Sequence, residues 1–186
     1  MIEDALQAIL DGQVVGLPTD TVYGIGVDPF NVDAVARLFD LKGRPDNKPI
    51  GVLVATVEQA AEIGQIRGDA ERLARQFWPG ALTLIVTPRV VMADWVGDKQ
   101  RRTVGVRVPD HPAATELLAL SGPLAVTSAN ESGGEETMDD RTARQIFGDR
   151  IAVYIEGTAP GGEASTVVDA TGSSLTVLRE GPVQIM

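Results

Sequence analysis

"LKGRPDNKPIGVLVA", residues 41–55, holds a helix end, a basic loop and an apolar strand in one short run. Upstream, Asn31 is placed to cap a helix whose apolar face carries Val32, Val35, Leu38 and Phe39 and which runs out at Lys42 and Gly43. Downstream, "IGVLVA" is the apolar pattern of a buried strand, and Thr56 with Gln59 opens a further helix with a capping box, expected to run to about Trp78. Open α/β folds commonly carry ligand-binding loops between such elements.

Working outward, Ile2, Leu6, Ile9 and Leu10 recur at helical spacing and stop at Gly12. "QVVGLP" reads as a short strand, and "ALTLIV", "RTVGVRV" and "PLAVTSA" as three more. Asp110 is expected to cap a helix through Leu120, and "DDRTARQIF" is helical. "IAVYIE", "STVVDAT" and "SLTVLRE" follow as late strands. Helix and strand alternate early and strands dominate late. The expected fold class is therefore α/β or α+β, a single domain over residues 1–186 with a twisted mixed β-sheet flanked by helices.

Composition narrows the chemistry. The 186 residues include no cysteine, and His111 is the single histidine, so thiolate chemistry and multi-histidine metal clusters are excluded. Any metal must be held by oxygen. His111, between Asp110 and Pro112, reads as structural. No apolar run reaches the length of roughly 18 residues that a bilayer span needs, and "MIEDALQAIL" lacks the positive start of a signal peptide. A cytoplasmic location without membrane contact is expected. The net charge of −10 argues against a surface that grips nucleic acid indiscriminately. Local basic clusters therefore carry more information than in a balanced protein.

Lys42, Arg44 and Lys48 fall within seven positions, and the chain has only three lysines. In an extended segment Lys42 and Arg44 leave on one face, with Pro45 and Pro49 stiffening the loop. Such a loop suits a polyphosphate, and a solvated loop accounts for the same residues. "GLPTDTVYGIGVDP" (16–29) reads either as a hairpin turn or as a backbone that a small polar ligand can approach; it matches neither phosphate-loop nor dinucleotide glycine pattern. "VTSANESGGEET" (126–137) brings Ser128 and Asn130 to a strand end, as turn formers or as donors to an anion. Glu131, Glu135 and Glu136 crowd that loop, as a solvated acidic lid or as help for magnesium. Arg107 alternates with valines, and Arg179 ends the last strand.

"PTDTVYGIG", "LKGRPDNKPIGVLV", "FWPGALTLIV", "VGVRVPDHP", "TSANESG", "STVVDATG" and "LREG", in this order over residues 18–181, resemble the YrdC-like family, whose best-known members are threonylcarbamoyl-AMP synthases. The resemblance implies a YrdC/RibB-like fold around a deep cleft. It implies a nucleotidyl transfer in which L-threonine, bicarbonate and ATP give threonylcarbamoyl-AMP and pyrophosphate, with Mg2+ on the phosphates. Downstream partners would be the tRNA threonylcarbamoyl transferase machinery, with at most a weak tRNA contact. By resemblance, Lys42, Arg44, Ser128 and Asn130 form the catalytic signature set. Arg44, Lys48, Thr103, Ser128 and Arg179 fall at ATP positions, and Thr21, Arg107, Val126 and Ser165 at threonine positions. No metal-ligating side chain is carried over.

Two positions depart from the family pattern: Leu53 stands where many members have histidine, and Glu136, with Thr137 next to it, where many have Ser or Thr. Two other readings share this sequence. One is a carbamoyl-adenylating paralogue that uses carbamoyl phosphate; the other is a non-catalytic binder of structured RNA. The short length disfavours the first and the acidic charge the second.

Overall fold

The computed structural model describes residues 1–43 and 48–186; the Arg44 expectation lies outside the described residues. Helix α1 (Ile2–Leu10) leads into strand β1 (Val15–Leu17), which turns back as β2 (Gly24–Val27). Helix α2 (Val32–Lys42) follows, capped by Asn31, whose side chain accepts from the Ala34 amide. It ends on Gly43, whose φ of +60° only glycine takes freely. Strand β3 (Gly51–Leu53) comes next.

Thr56 caps as expected, but the stretch to Trp78 is two helices, α3 (Val57–Ile63) and α4 (Asp69–Phe77). The physical cause of the break is Gly64, in extended backbone, and Gly68, at φ +59°. Strands β4 (Leu82–Val86) and β5 (Val104–Arg107), helix α5 (Pro112–Ser121), strand β6 (Leu124–Ser128), helix α6 (Asp140–Phe147) and strands β7 (Val153–Tyr154), β8 (Thr166–Asp169) and β9 (Thr176–Arg179) complete the described elements. His111, not Asp110, caps α5, its Nδ1 accepting from the Ala113 amide. The structural reading of His111 thus has a specific content.

Among the described residues the sheet order is β7-β1-β2-β6-β3-β5-β4-β8-β9. Parallel pairs (β1 with β7, β3 with β5, β4 with β8) sit among antiparallel ones, so the sheet is mixed. The larger core cluster gathers α2, α3 and α4 against Leu82, Leu84, Val104 and Val106; a second packs α1 and α5 against Leu17, Leu53 and Leu124. Strand alternation does the rest. On β5 the valines enter the larger core and Thr103, Gly105 and Arg107 take the other face; on β4, Thr83 and Ile85 do the same. Helices α1 and α5 cover this face only on the side of Leu53, and the part beside them becomes the floor of a cleft. No helix among the described residues is long and apolar enough to cross a membrane.

Candidate active site

The cleft has a volume of about 330 Å³ and is lined from seven strands and the loops beside them. Its row across the sheet is set by register: Val126 pairs with Gly51, and Gly105 pairs with Ile85. Seven of the residues expected at a site meet here: Thr21, Thr103, Arg107, Val126, Ser128, Ser165 and Arg179. They lie up to 158 positions apart in the chain, from Thr21 to Arg179.

At one end stands Arg107, 6% exposed. Its Nε donates to the Gly80 carbonyl at 3.0 Å, its Nη1 to Thr21 Oγ1 at 2.9 Å, and its Nη2 to the Asp20 carboxylate. Asp20 Oδ1 also accepts from the Asp110 amide at 3.0 Å, which ties the "PTDT" loop to the end of β5. Burial pulls the Arg107 guanidinium below its ordinary value; the Asp20 charge opposes this, and the positive charge of Arg179 adds to it. Guanidinium remains the charged form at neutral pH, so the site holds a desolvated, oriented cation.

Opposite, Arg179 lies on Ser165: Nε and Nη2 donate to the Ser165 carbonyl at 3.0 and 2.8 Å, and Nη2 reaches Ser165 Oγ at 3.2 Å. Ser165 Oγ is 2.8 Å from Thr83 Oγ1. The expectation of separate ATP and threonine roles for Arg179 and Ser165 therefore meets a pair in direct contact.

Ser128 closes the third side, and Lys42 and Asn130 stand behind it. The Lys42 ammonium, on a residue 4% exposed, donates to the Ser128 carbonyl at 2.6 Å, to the Asn130 carbonyl at 2.6 Å and to Asn130 Oδ1, with Ser128 Oγ at 3.3 Å. Ser128 Oγ donates to Asn130 Oδ1 at 2.6 Å, and Asn130 Nδ2 to the Gly134 carbonyl at 2.6 Å. Neither Lys42 nor Asn130 lines the cleft; the two form a buried bracket that fixes the Ser128 turn. Lys48 is exposed and does not line it either, though Pro49 next to it does.

Both departures from the family pattern, Leu53 and Glu136, line the cleft. Thr137 beside Glu136 is buried and donates to the Ala129 carbonyl at 2.7 Å, so it holds the loop while Glu136 faces the opening. Residue reasoning missed Thr19, Asp20 and Thr83. The alternation of Thr19 with Thr21 in "PTDT" was the available signal for the first; nothing local marks Thr83. Among the described residues no group of three His, Cys, Asp or Glu side chains is placed to hold a metal, and the cleft's carboxylates are Asp98 and Glu136.

The model of the Sua5/YciO/YrdC family, described as "Telomere recombination", matches residues 7–181. A relative from Mycobacterium tuberculosis (strain ATCC 25618 / H37Rv) is 46% identical over 98% of this chain and 84% of its own length. One named threonylcarbamoyl-AMP synthase, from Vibrio parahaemolyticus, is 35% identical over 96% of this chain and 98% of its own. Among solved structures, that of Pyrococcus abyssi Sua5 complexed with L-threonine is 36% identical over 97% of this chain, with a TM-score of 0.91. The chain spans 54% of that structure's length.

Proposed function

We propose that this chain, which belongs to the Sua5/YciO/YrdC family, is an L-threonylcarbamoyladenylate synthase acting as one YrdC-like domain. It takes L-threonine, bicarbonate and ATP and releases threonylcarbamoyl-AMP and pyrophosphate. The single observation that supports the reading is the convergence of Arg107 with Thr21 at one end of a cleft that also gathers Thr103, Ser128 and Arg179.

The threonine amine adds to bicarbonate carbon and water leaves, giving a carbamate. A carbamate oxygen then forms a bond to the α-phosphorus as the bond to the bridging oxygen breaks and pyrophosphate departs. Neither step needs a thiol, a second histidine or a covalent enzyme intermediate. Alignment and charge stabilisation are the demands, and this chain has the groups for them. Arg107 and Thr21 hold the amino acid, with Val126 and Ser165 beside it. Thr103, Ser128 and Arg179 hold the nucleotide, and Arg44 and Lys48 of the basic loop are assigned to the triphosphate. Lys42 and Asn130 act through Ser128, whose turn they fix.

Magnesium fits this donor set as an ion that arrives on phosphate oxygens, since Mg2+ is commonly held by one or two carboxylates plus substrate phosphates, and Asp98 and Glu136 are the carboxylates within reach of the cleft. Bound there, it supplies neutralisation of charge developing on the phosphates. The carbamate and the mixed anhydride both decompose in water, so a recessed cleft is what the chemistry asks for. In the cytoplasm, the tRNA threonylcarbamoyl transferase machinery is the consumer of the product, and any tRNA contact is weak.

Pyrophosphate release measured with ATP, bicarbonate and a panel of amino acids tests the reading. Threonine-dependent release is expected. Release that needs carbamoyl phosphate instead, or no release alongside tight binding of structured RNA, overturns it.

A further inference from the structure

Thr19 and Thr21 are buried side chains that both line the cleft, with hydroxyl oxygens 3.1 Å apart. Their protons can be counted. Thr19 Oγ1 donates to the Val22 carbonyl at 2.7 Å, so its one hydroxyl proton is committed. The amides of Thr21 and Val22 point at that same oxygen from 3.2 and 3.3 Å, an arrangement in which Thr19 Oγ1 accepts. Arg107 Nη1 donates to Thr21 Oγ1 at 2.9 Å and takes one of its two lone pairs. With its proton spent, Thr19 cannot donate to Thr21, so the bond between the threonines runs from Thr21 to Thr19, whose two lone pairs are shared between this hydroxyl and the two amide contacts.

This leaves Thr21 with no proton to offer a ligand and with one lone pair. Beside it, Arg107 has used three of its five N–H groups, on Gly80, Thr21 and Asp20. A cation with two donors in hand next to an acceptor-only hydroxyl oxygen is complementary to a carboxylate that carries a hydroxyl donor close by. A β-hydroxy amino acid has both.

We infer that Thr19 is a positioning residue that locks the direction of the Thr21 hydroxyl, so that the site accepts the β-hydroxyl proton of its amino acid and thereby selects against amino acids without one. The inference rests on the threonine-using reading above and adds to it the origin of side-chain selectivity. A site built to bond a substrate hydroxyl leaves its own polar group unpaired when the hydroxyl is missing, which gives large discrimination. In Thr19→Val the shape is kept and the acceptor is lost. The Thr21 proton then has no fixed partner, and its oxygen no longer presents a lone pair by default.

The test is steady-state pyrophosphate release by the full chain with threonine and with valine. For Thr19→Val the threonine KM is expected to rise about tenfold and the preference for threonine over valine to fall by about tenfold, with the ATP KM within about twofold of wild type. Thr19→Ser, which keeps the hydroxyl, is expected to match wild type in all three. Wild-type threonine KM and preference in Thr19→Val overturn the inference, as does a parallel rise of both KM values, which marks general loosening. An impaired but folded Thr19→Ser also overturns it, and that variant carries the test if Thr19→Val does not fold. A wild-type chain that releases no pyrophosphate with threonine removes the functional reading itself; wild-type turnover with an unaffected Thr19→Val removes only this inference.

Discussion

Lys42 and Asn130, 88 positions apart, are joined twice: the lysine ammonium donates to the asparagine main-chain carbonyl at 2.6 Å and to its side-chain oxygen. The ammonium also binds the Ser128 carbonyl, so one charge fixes both ends of the turn that presents Ser128 to the cleft. Lysine is suited to this because a compact ammonium can serve several carbonyls at once.

Lys42→Met keeps the stem and removes the charge, leaving buried carbonyls that lose a charged donor. A loss of about 3 kcal/mol is expected for such bonds. For a chain of this size that corresponds to a fall in Tm of roughly 6–12 °C, read by circular dichroism. Turnover is expected to fall by about 100-fold, since displacement of a substrate-facing group by an ångström has that order of effect. Wild-type turnover in a folded Lys42→Met would show that the bracket does not govern Ser128.

Asp20 is the counter-charge of a buried guanidinium and also accepts from the Asp110 amide. Removal of one partner from a buried ion pair is costly because the other charge stays buried, and Arg179 makes the position still less favourable for Arg107. Asp20→Asn is expected to cost about 3 kcal/mol and Asp20→Ala more, since alanine also strands the Asp110 amide. Urea unfolding midpoints give the order; equal stability of wild type and Asp20→Asn would show that the pair contributes nothing net.

Local signals in the chain were enough for the elements that close on themselves. Asn31 and Thr56 cap the helices they were expected to cap, because an N-cap needs only its own side chain and an amide three residues on. The long helix to Trp78 failed at Gly64 and Gly68, where backbone freedom overrode helical spacing of apolar residues. Strand β2 hid inside "GLPTDTVYGIGVDP", since a glycine-rich strand buried on both sides has no alternation to read. For the site, side chains that face the cleft followed from strand alternation at Thr103 and Arg107. The separation of Lys42 and Asn130 from the cleft could not follow: it depends on contacts across 88 positions that no local pattern encodes.

Asp139 caps α6, its Oδ1 accepting from the Thr142 amide at 2.7 Å. That main-chain bond, followed by the side-chain bond to Thr142, holds the carboxyl below its ordinary value. A depressed folded value means that its stabilising contribution is present above the unfolded pKa near about 3.9 and is lost as pH falls through the folded value. Asp139→Asn keeps a capping oxygen and removes the titration. The stability difference between wild type and Asp139→Asn is therefore expected to favour wild type at pH 7 and to shrink at pH 3. Urea midpoints at the two pH values measure it, and a difference that stays constant would contradict the assignment.

Gly51 and Gly105 lie side by side on the floor of the cleft, on the parallel strands β3 and β5. Neither has a positive φ, so alanine is allowed by the backbone at both. Their surroundings differ. A Cβ on Gly51 meets only the Gly105 carbonyl, at 3.4 Å, an ordinary contact; on Gly105 it meets Thr83 Cγ2 at 3.1 Å and Ile85 Cδ1 at 3.2 Å. Gly51→Ala is therefore expected to change stability by less than about 0.5 kcal/mol, and Gly105→Ala to cost about 1 kcal/mol. Each methyl also raises the floor between the Arg107 end and the Ser128 end of the cleft. If the reactants rest on bare backbone there, overpacking of roughly 1.4 kcal/mol transfers to the bound state and kcat/KM falls about tenfold. Gly51→Ala is the decisive variant, because its folded chain is unstrained and a fall in kcat/KM can come only from what the cleft holds; unchanged kcat/KM in Gly51→Ala would place the reactants away from that floor.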